Sequence, residues 1–263
     1  MKIALVSLDQ QWENKVANKQ KVAATLALIA SHCTDIDLVV YPEMTLTGFT
    51  MESERIKEEE ESSDTIVFFE EQAKKYGVNI AFGVVLAKGN KASNCLAVVS
   101  GQGALLTTYT KIHPFSYANE DAHYQAGNSL KKVNVGGATI GLTICYDLRF
   151  PELYQGYSKD CQVLLNIANW PERRITHWKA LIKARAIENQ VFMVGVNRIG
   201  KDGNGLQYVA SSEIVSPYGE ELKGVSLSEE VAVYEIDLGK VAQYRKEFPV
   251  KSDRKITLYK DIL

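Results

Sequence analysis

Residues 133–151 read VNVGGATIGLTICYDLRFP, and this stretch predicts a buried strand, a sharp turn and a short helix. The run Ala138–Ile144 is apolar, rich in β-branched side chains and preceded by a Gly-Gly turn, as is typical of a strand. Cys145 follows the strand directly, and Pro151 suits the first turn of a helix over residues 152–157. The stretch therefore predicts a thiol at the carboxyl end of a strand.

A strand that turns sharply into a helix can lift a reactive side chain out of a sheet, as the nucleophile elbow of serine hydrolases does. Cys145 has this setting. Most free cysteines, however, are simply buried in the core. On this stretch alone, an inert buried Cys145 is the simpler interpretation.

The bulk composition limits the class of protein. A chain of 263 residues, 46% of them hydrophobic, is long enough for one large α/β domain, and we predict a single domain over residues 1–263. A net charge of −2 argues against partners such as nucleic acid or an anionic membrane. No apolar run is long enough to cross a bilayer, and the start, MKIALVSLDQQ, lacks the features of a signal peptide. We therefore expect a cytoplasmic protein.

The cysteines point to a reducing compartment. The chain has four, at positions 33, 95, 145 and 161, with no CxxC pair. Neither they nor the four histidines form a pattern typical of a metal site, so we expect no metal and no cofactor. His113 and His177 are interpreted as hydrogen-bonded structural imidazoles. The glycine-rich residues 200–205 do not match a phosphate-binding loop and are interpreted as a turn.

Hydrophobic periodicity predicts a mixed sheet arrangement with helices outside. Strands are predicted at residues 2–8, 37–41, 79–85, 93–99, 105–109, 138–144, 163–168, 191–197, 209–215 and 231–236. Helices are predicted at residues 13–32, 64–76, 152–157 and 175–189. We expect Val16 to share the apolar face of the first of these helices, and Ile187 to be buried with Trp178 in the last. The glutamate-rich residues 52–64 are interpreted as a solvated loop or an exposed helical turn.

Three apolar strands end near Glu43, Lys111 and Cys145. Each alone is an ordinary polar residue where a strand meets solvent, but the carboxyl ends of strands are where open α/β sheets gather ligands. A carboxylate can take the proton of a thiol, and an ammonium can stabilise a developing oxyanion. Cys, Glu and Lys together are therefore sufficient for acyl transfer.

Several longer motifs occur in order along nearly the whole chain. They are YPE at 41–43, YTKIH at 109–113, TICYDLRFPE at 143–152, NWP at 169–171, ARAIENQ at 184–190 and S-x-I-x-x-P-x-G at 212–219. With these motifs the chain resembles the nitrilase superfamily of carbon–nitrogen hydrolases. ANWPERR followed by HW, and NRIGKDGNG after ARAIENQ, make it most similar to the omega-amidases (2-oxoglutaramate amidases) within that superfamily.

The resemblance implies an α/β fold of four layers, an α-β-β-α sandwich, usually paired into a homodimer. It implies that Glu43 is the general base, Lys111 the cation at the oxyanion and Cys145 the nucleophile, with the backbone N–H of Tyr146 as the other oxyanion donor. Such enzymes have a second glutamate in the loop after the lysine, and Glu120 fits, with the expected role of orienting the substrate or relaying the proton. Residues 210–211, Ala-Ser, depart from the polar pair that relatives often have before the serine of the last motif.

The resemblance also implies a small-molecule amide substrate with a carboxylate at its far end, of the 2-oxoglutaramate or succinamate type. Arg173 is the first candidate to bind that carboxylate, beside a turn at Trp170 that is expected to lie over the pocket. Arg149 is the second candidate, although we expect it to pair with a carboxylate and brace the turn at Cys145. Alternative substrates are deaminated glutathione or an N-carbamoyl amine. A non-catalytic binding module is the remaining alternative, against which the intact Glu, Lys and Cys argue.

Overall fold

The structure is a computed structural model that describes residues 1–89 and 91–262. The strands are β1 (Lys2–Val6), β2 (Leu38–Val40), β3 (Asn79–Lys88), β4 (Lys91–Val99), β5 (Leu105–Thr110), β6 (Lys132–Val135), β7 (Ala138–Ile144), β8 (Val163–Ala168), β9 (Phe192–Asn197), β10 (Gly200–Lys201), β11 (Gln207–Tyr208), β12 (Glu213–Val215), β13 (Val225–Ser226) and β14 (Val231–Glu235). The α-helices are α1 (Lys15–His32), α2 (Ser53–Ile56), α3 (Asp64–Tyr76), α4 (Glu120–His123), α5 (Pro151–Tyr157), α6 (Ile175–Asn189), α7 (Gly239–Glu247) and α8 (Ile256–Ile262).

The strands form two large sheets that stack on each other. One sheet has the order β13-β14-β1-β2-β3-β4-β5 and the other β12-β9-β8-β7-β6, while β10 and β11 form a separate hairpin. In the first sheet β1, β2 and β3 are parallel, and in the second β7, β8 and β9 are parallel. The remaining neighbours within each sheet pair antiparallel. The prediction of mixed sheets is therefore confirmed.

Three apolar clusters define the layers. The inner cluster joins side chains of both sheets, among them Leu5, Val40, Ile144 and Leu165. A second cluster packs α1 and α3 on the outer face of the first sheet, and a third packs α5 and α6 on the outer face of the second. Because each sheet buries both faces, its central strands are apolar along their whole length. The fold is the predicted four-layer α-β-β-α sandwich.

Local sequence signals explain the best-predicted elements. β6 and β7 are joined by a two-residue turn in which Gly136 and Gly137 have φ of +57° and +78°, a conformation that glycine adopts at little cost. Helix α3 has the predicted bounds because Ser63 caps its first turn, where its side chain accepts the N–H of Ile66. Gly77 ends that helix with φ +63°.

The prediction of burial was wrong for one residue on each of two helices. Val16 is 70% exposed on α1, and Ile187 is 43% exposed on α6. Val16 precedes the buried Val22 by six residues, and Ile187 follows the buried Trp178, with which it was predicted to pack, by nine. Side chains share a helix face at spacings of three or four, so neither residue can point the same way as its supposed partner.

The strand predicted at residues 209–215 is only partly formed, since β12 is confined to Glu213–Val215 and β11 lies just before it. Ser211 accepts a hydrogen bond from the side chain of Asn197, and the backbone N–H of Asn197 donates to Ser212 Oγ at 3.0 Å. The Trp178 indole also donates to the carbonyl oxygen of Ser211 at 2.8 Å. These contacts replace strand pairing at Ser211 and Ser212.

The glutamate-rich segment contains helical turns, one of the two predicted forms, but it is less exposed than predicted at Glu58. It contains α2 and a 3₁₀ turn over Glu60–Ser62, and Glu58 is mostly buried where it pairs with Lys15 and accepts hydrogen bonds from Thr65. No element is predicted after residue 236, where α7 and α8 occur. Within the described part of the chain, no helix combines the length and the apolar character that a membrane span requires.

Candidate active site

The polar residues that follow β2, β5, β7 and β8 meet at one edge of the sandwich, between the two sheets. Glu43 lies beyond the end of β2, Lys111 follows β5, and Cys145 and Asn169 follow the adjacent parallel strands β7 and β8. The Asn169 backbone N–H donates to Glu43 Oε2 at 2.9 Å, which joins the second sheet to the first. Parallel strands present their carboxyl ends at one edge, so the topology itself gathers these groups.

Glu43 lies on a tightly restrained turn. The next residue, Met44, has φ +45°, and a Cβ on Gly83 would lie 2.1 Å from its backbone nitrogen, so only glycine permits this approach. The buried Gln10 side chain donates from Nε2 to three successive carbonyl oxygens, those of Glu43, Met44 and Thr45, at 3.0, 3.0 and 3.2 Å. The position of the carboxylate is therefore fixed through its own backbone.

Two buried glutamates share one buried lysine. Lys111 Nζ lies 2.9 Å from Glu43 Oε1 and 2.8 Å from Glu120 Oε2, and all three side chains are at most 1% exposed. Asn94 Nδ2 donates to Glu43 Oε1 at 2.7 Å and to Glu120 Oε1 at 2.9 Å. Glu120 also accepts the backbone N–H of Phe115. A carboxylate and an ammonium are rarely buried so completely unless they are paired, and here they are.

Burial and these neighbouring charges set the protonation states. Burial would lower the pKa of Lys111, but the carboxylates of Glu120 and Glu43 outweigh it and raise the pKa above its ordinary range. The lysine is therefore an ammonium. Burial raises the pKa of Glu120, Lys111 opposes that effect, and Glu43 adds to it. The two carboxylates consequently compete for the stabilisation that one lysine provides.

Cys145 occupies the predicted turn, at the start of the 3₁₀ segment Cys145–Arg149 and with φ +44°. A positive φ at a residue with a side chain is a strained conformation that surrounding contacts must hold. Burial, followed by the negative charge of Glu43, raises the pKa of the Cys145 thiol well above its ordinary value, although Lys111 opposes this. The resting thiol therefore keeps its proton, and attack by sulfur requires a base.

Asp147 holds the turn at Cys145. It is fully buried and accepts the backbone N–H of Ile144 at 3.0 Å, the Tyr109 hydroxyl at 2.8 Å and the backbone N–H of His113 at 2.9 Å. The His113 ring lies 2.9 Å from the same carboxylate and stacks on Phe150. His113 is thus hydrogen-bonded in the way the sequence suggested.

The expectation that Arg149 braces this turn through a carboxylate was wrong. Its guanidinium lies 4.9 Å from the centre of the Trp170 ring, and its Nη2 is 3.3 Å from Nδ1 of His177. The brace comes instead from Arg185, which is buried and donates to the Leu148 carbonyl oxygen from Nε and Nη2 at 3.1 and 2.9 Å. Arg149 is diverted because the flat face of Trp170 lies beside it and attracts a cation.

A cavity of about 140 Å³ opens above Cys145. All four predicted substrate-binding residues line it, together with Glu43 and a third arginine, Arg174. Six aromatic side chains also line it: Phe49, Phe115, Tyr117, Tyr146, Trp170 and Tyr208. Such a cavity can hold a small molecule with apolar methylene groups and one anionic end.

Arg173, which was predicted to bind substrate, and Arg174, which was not, differ in how deeply they are buried. Arg173 is exposed, whereas Arg174 is partly buried, with its guanidinium 5.2 Å from the Phe115 ring centre. Burial lowers the pKa of Arg174, and the positive charge of Arg173 adds to this effect. Sequence reasoning missed Arg174, whose only local signal is the tandem ERR at residues 172–174. It also missed Asn94, which is marked only as a polar side chain in an apolar strand.

In the described residues, no group of three or more His, Cys, Asp or Glu side chains is arranged to hold a metal ion. What the site offers is a thiol, a carboxylate next to it, a buried ammonium and a cavity with cationic side chains. This combination can carry out acyl transfer through a covalent intermediate.

Comparison with known proteins bears on this chemistry. The family model described as "Carbon-nitrogen hydrolase" matches residues 2–246. The chain is 34% identical over 254 residues to "Omega-amidase YafV" of Escherichia coli (strain K12), with 96% of each chain covered. It is 32% identical over 225 residues to "2-oxoglutaramate amidase" of Bacillus subtilis (strain 168), covering 85% of this chain and 86% of that one.

A similar solved structure is that of XC1258 from Xanthomonas campestris, described as a CN-hydrolase superfamily protein with an arsenic adduct in the active site. It superimposes with a TM-score of 0.89 at 31% sequence identity, over 97% of both chains.

Proposed function

The chain belongs to the carbon–nitrogen hydrolase family, whose members include amidases, and we propose that it hydrolyses the primary amide of a small dicarboxylic acid monoamide such as 2-oxoglutaramate or succinamate. The observation that carries this proposal is the buried contact of Lys111 with Glu43 and Glu120 beside Cys145, below a cavity lined by arginines. The activities named for the relatives in Escherichia coli and Bacillus subtilis support it.

In the first step, Glu43 takes the proton of Cys145 while the sulfur attacks the amide carbon. Because the thiol is neutral at rest, base and nucleophile act together. The carbonyl oxygen becomes an oxyanion, which Lys111 and the backbone N–H of Tyr146 stabilise. An ammonium has three hydrogens. Lys111 directs one hydrogen to Glu43 and shares a second between the two oxygens of Glu120, so the third is left for the oxyanion.

In the second step, the tetrahedral intermediate collapses. Glu43 returns its proton to the leaving nitrogen, ammonia departs, and a thioester on Cys145 remains. Glu43 then removes a proton from water, which attacks the thioester carbon. The sulfur leaves, recovers the proton, and the carboxylic acid product is released. Glu120 holds Lys111 in place through both steps and does not need to touch the substrate.

We assign recognition of the far carboxylate to the arginines of the cavity. Neither Arg149 nor Arg174 pairs with a carboxylate among the described residues, so both are available for an anionic ligand. Arg173 remains a candidate at the exposed mouth, but the deeper Arg174 is better screened from water and should contribute more. Trp170 and Tyr146 supply the apolar walls against which the methylene groups of the acyl chain pack.

The alternatives can be separated by substrate. We favour a five-carbon monoamide over the much larger deaminated glutathione, because the named relatives are an omega-amidase and a 2-oxoglutaramate amidase. An N-carbamoyl amine would release carbon dioxide together with ammonia. Ammonia release should therefore be compared for 2-oxoglutaramate, succinamate, a neutral short amide and an N-carbamoyl amine. Faster release from the neutral amide than from the two anionic ones would contradict the proposed substrate class.

Replacement of the thiol tests the covalent mechanism. Cys145→Ala should abolish turnover without loss of folding, and Cys145→Ser should do nearly as much, because a hydroxyl is a far weaker acid than the thiol that Glu43 is placed to deprotonate. Either variant with most of the wild-type rate and a native circular dichroism spectrum would exclude a thioester.

Alkylation gives an independent view of the same residue. Iodoacetamide should modify Cys145 before the other cysteines. Burial raises the pKa of Cys95 to about 12 and that of Cys161 to about 11, and both thiols are buried, whereas Cys145 is partly exposed and lines the cavity. Cys33 lies far from the site, at the end of α1. Mass spectrometry of early digests should show one dominant adduct, and a dominant adduct elsewhere would contradict the assignment.

We further propose that the chain is a single domain that works in the cytoplasm as a homodimer. The four cysteines are free, which suits a reducing compartment. Ile187, Tyr218 and Phe248 are between 40% and 55% exposed and lie near one another through Gly219 and Tyr244, so they offer an apolar patch for a second copy. Light scattering should give a dimer mass for the wild type and a lower mass for Ile187→Lys. A monomeric wild type would contradict the proposal.

A further inference from the structure

We propose that Asn94 is a positioning residue that allows Glu43 and Glu120 to be ionised at the same time, so that Glu43 is ready to act as the base. This inference rests on the proposed role of Glu43 and concerns a residue that lies one step away from the reacting atoms. Asn94 is 1% exposed and lies in the apolar strand β4.

The geometry places Asn94 opposite Lys111 in a closed ring of four groups. Its Nδ2 donates one hydrogen to Glu43 Oε1 at 2.7 Å and the other to Glu120 Oε1 at 2.9 Å. Lys111 Nζ lies 2.9 and 3.1 Å from the same two oxygens. Each of these oxygens therefore has one donor from the amide and one from the ammonium.

The charges in this ring do not balance. Two carboxylates and one ammonium leave a net charge of −1 in a buried site. The other titratable groups that face the pair are the thiol of Cys145 on the turn after β7 and the hydroxyl of Tyr124 after α4, and both are neutral. Among the described residues, the pair has no second cation. Without further donors, two carboxylates this close would share a proton.

The Asn94 amide supplies those donors. Hydrogen bonds to a charged carboxylate favour its ionised form, and the bond from Asn94 lowers the pKa of Glu120 against the burial that raises it. If the pair held a proton, Glu43 would lose part of its capacity to accept the thiol proton. Asn94 thus acts on the reaction through the charge state of the glutamates and not by contact with substrate.

The rest of the side chain fits this role. Asn94 Oδ1 is buried and has no hydrogen-bond partner in the described residues. An unpartnered buried carbonyl is unfavourable for stability. The opposite orientation of the amide would point this oxygen at two carboxylates. The site therefore keeps an amide for its two N–H groups although its oxygen is left unsatisfied.

Alkylation of Cys145 by iodoacetamide, followed as a function of pH without any amide substrate, tests the proposal. In the wild type, the rate should fall at acid pH as the glutamate pair takes up a proton. In Asn94→Leu, this acid limb should move to higher pH by about one to two units, the range expected for a hydrogen bond to a charged group. Asn94→Ser, which keeps one donor, should show a smaller shift in the same direction.

Asn166→Leu is the matched control. Asn166 is also a fully buried asparagine with an unpartnered Oδ1, but its Nδ2 donates to Thr143 Oγ1 and Tyr154 Oη, at 3.0 and 3.2 Å, and to no carboxylate. Its acid limb should stay at the wild-type pH even if its stability falls. A shift as large as that of Asn94→Leu would mean that loosened packing, not the loss of donors, moves the limb, and would overturn the proposal.

An unshifted acid limb in folded Asn94→Leu would also overturn it. If Asn94→Leu does not fold, the same test applies to Asn94→Ser: an acid limb at the wild-type pH would overturn the proposal. Because alkylation displaces iodide and requires no amide hydrolysis, the result does not depend on the proposed substrate class. A shifted limb together with no hydrolysis of 2-oxoglutaramate or succinamate would leave Asn94 in its role and refute only the substrate.

Discussion

Replacement of Lys111 by methionine should show how much the buried ammonium contributes to the stability of the folded protein. Lys111 is 1% exposed and pairs with two carboxylates that are themselves fully buried. Methionine has nearly the same length and no charge, so Lys111→Met removes the ammonium and leaves little empty space. Two carboxylates then remain in the interior with Asn94 as their shared donor.

The size of the effect follows from the contacts. Glu43 Oε1 and Glu120 Oε1 bind the same Asn94 nitrogen, so they are roughly 5 Å apart, where two unit charges repel by about 3 kcal/mol at an effective dielectric constant of about 20. Breaking a buried ion pair by removal of one partner typically costs about 3–5 kcal/mol. We expect a loss of this order in the free energy of unfolding at pH 7.

The loss should depend on pH with a definite sign. Burial and Glu43 already raise the pKa of Glu120 above its ordinary value of 4.5, and removal of Lys111 raises it further. A carboxyl with a higher pKa in the folded state binds its proton more tightly there, so its stabilisation is present below the unfolded pKa and is lost as the pH rises through the folded one. Lys111→Met should therefore be least destabilised near pH 4.5 and progressively more so toward pH 8.

Urea unfolding followed by circular dichroism at several pH values between 4.5 and 8 measures this dependence. Lys15→Met is the control, because Lys15 pairs with Glu58 but is 28% exposed, and such a pair should contribute at most about 1 kcal/mol. A stability difference between Lys111→Met and wild type that is constant across this range, or no larger than that of the control, would refute the argument. Turnover should be lost at every pH.

Three further variants test other parts of the site. Lys111→Arg should lower kcat by about a hundredfold to a thousandfold, the usual loss for one oxyanion donor, because a planar guanidinium does not fit between two carboxylates; a near-normal rate would remove Lys111 from the mechanism. Arg174→Ala should raise KM strongly for succinamate but little for a neutral short amide, with Arg173→Ala as the milder comparison; equal effects on both substrates would indicate a structural role. Asp147→Asn should lower both the rate of Cys145 alkylation and the midpoint of thermal unfolding, because a neutral amide binds the N–H and O–H donors less strongly than a carboxylate does. An unchanged alkylation rate would show that the turn at Cys145 keeps its geometry without the Asp147 carboxylate.

Sequence analysis predicted the parts of the site that depend on local patterns. The strand β7 ends where its apolar run ends, so the position of Cys145 at a strand terminus follows from about ten residues. Glu43 and Lys111 were found in the same way, as charged residues after apolar runs. The family resemblance then connected the three, although their separation along the chain gives no such information.

The contacts that no local pattern encodes were missed. Asn94 is 51 residues from Glu43, and its place beside Lys111 depends on the antiparallel register of β4 and β5, in which Cys95 pairs with Thr110. Arg149 was assigned the wrong partner because nothing near it in the sequence shows that the Trp170 ring lies beside it. Long-range register and the choice between neighbouring partners are properties of the folded chain.

Several residues around the proposed base and nucleophile break local rules. Met44 and Cys145 both have positive φ, and Asn94 carries an unsatisfied oxygen. Each feature is unfavourable by itself and persists only where the surroundings hold it. Gln10 restrains the turn at Glu43 through three carbonyl oxygens, and Asp147 restrains the turn at Cys145.

These restraints lie on different sheets. Gln10 acts on the turn after β2 in the first sheet, and Asp147 on the turn after β7 in the second, while the Asn169 N–H crosses between them to Glu43 Oε2 at 2.9 Å. The distance between base and thiol is therefore set by how the two sheets pack and not by either turn alone. A core substitution that shifts one sheet against the other should impair catalysis even when both turns keep their own geometry, since small misplacements of reacting groups have large effects on rate.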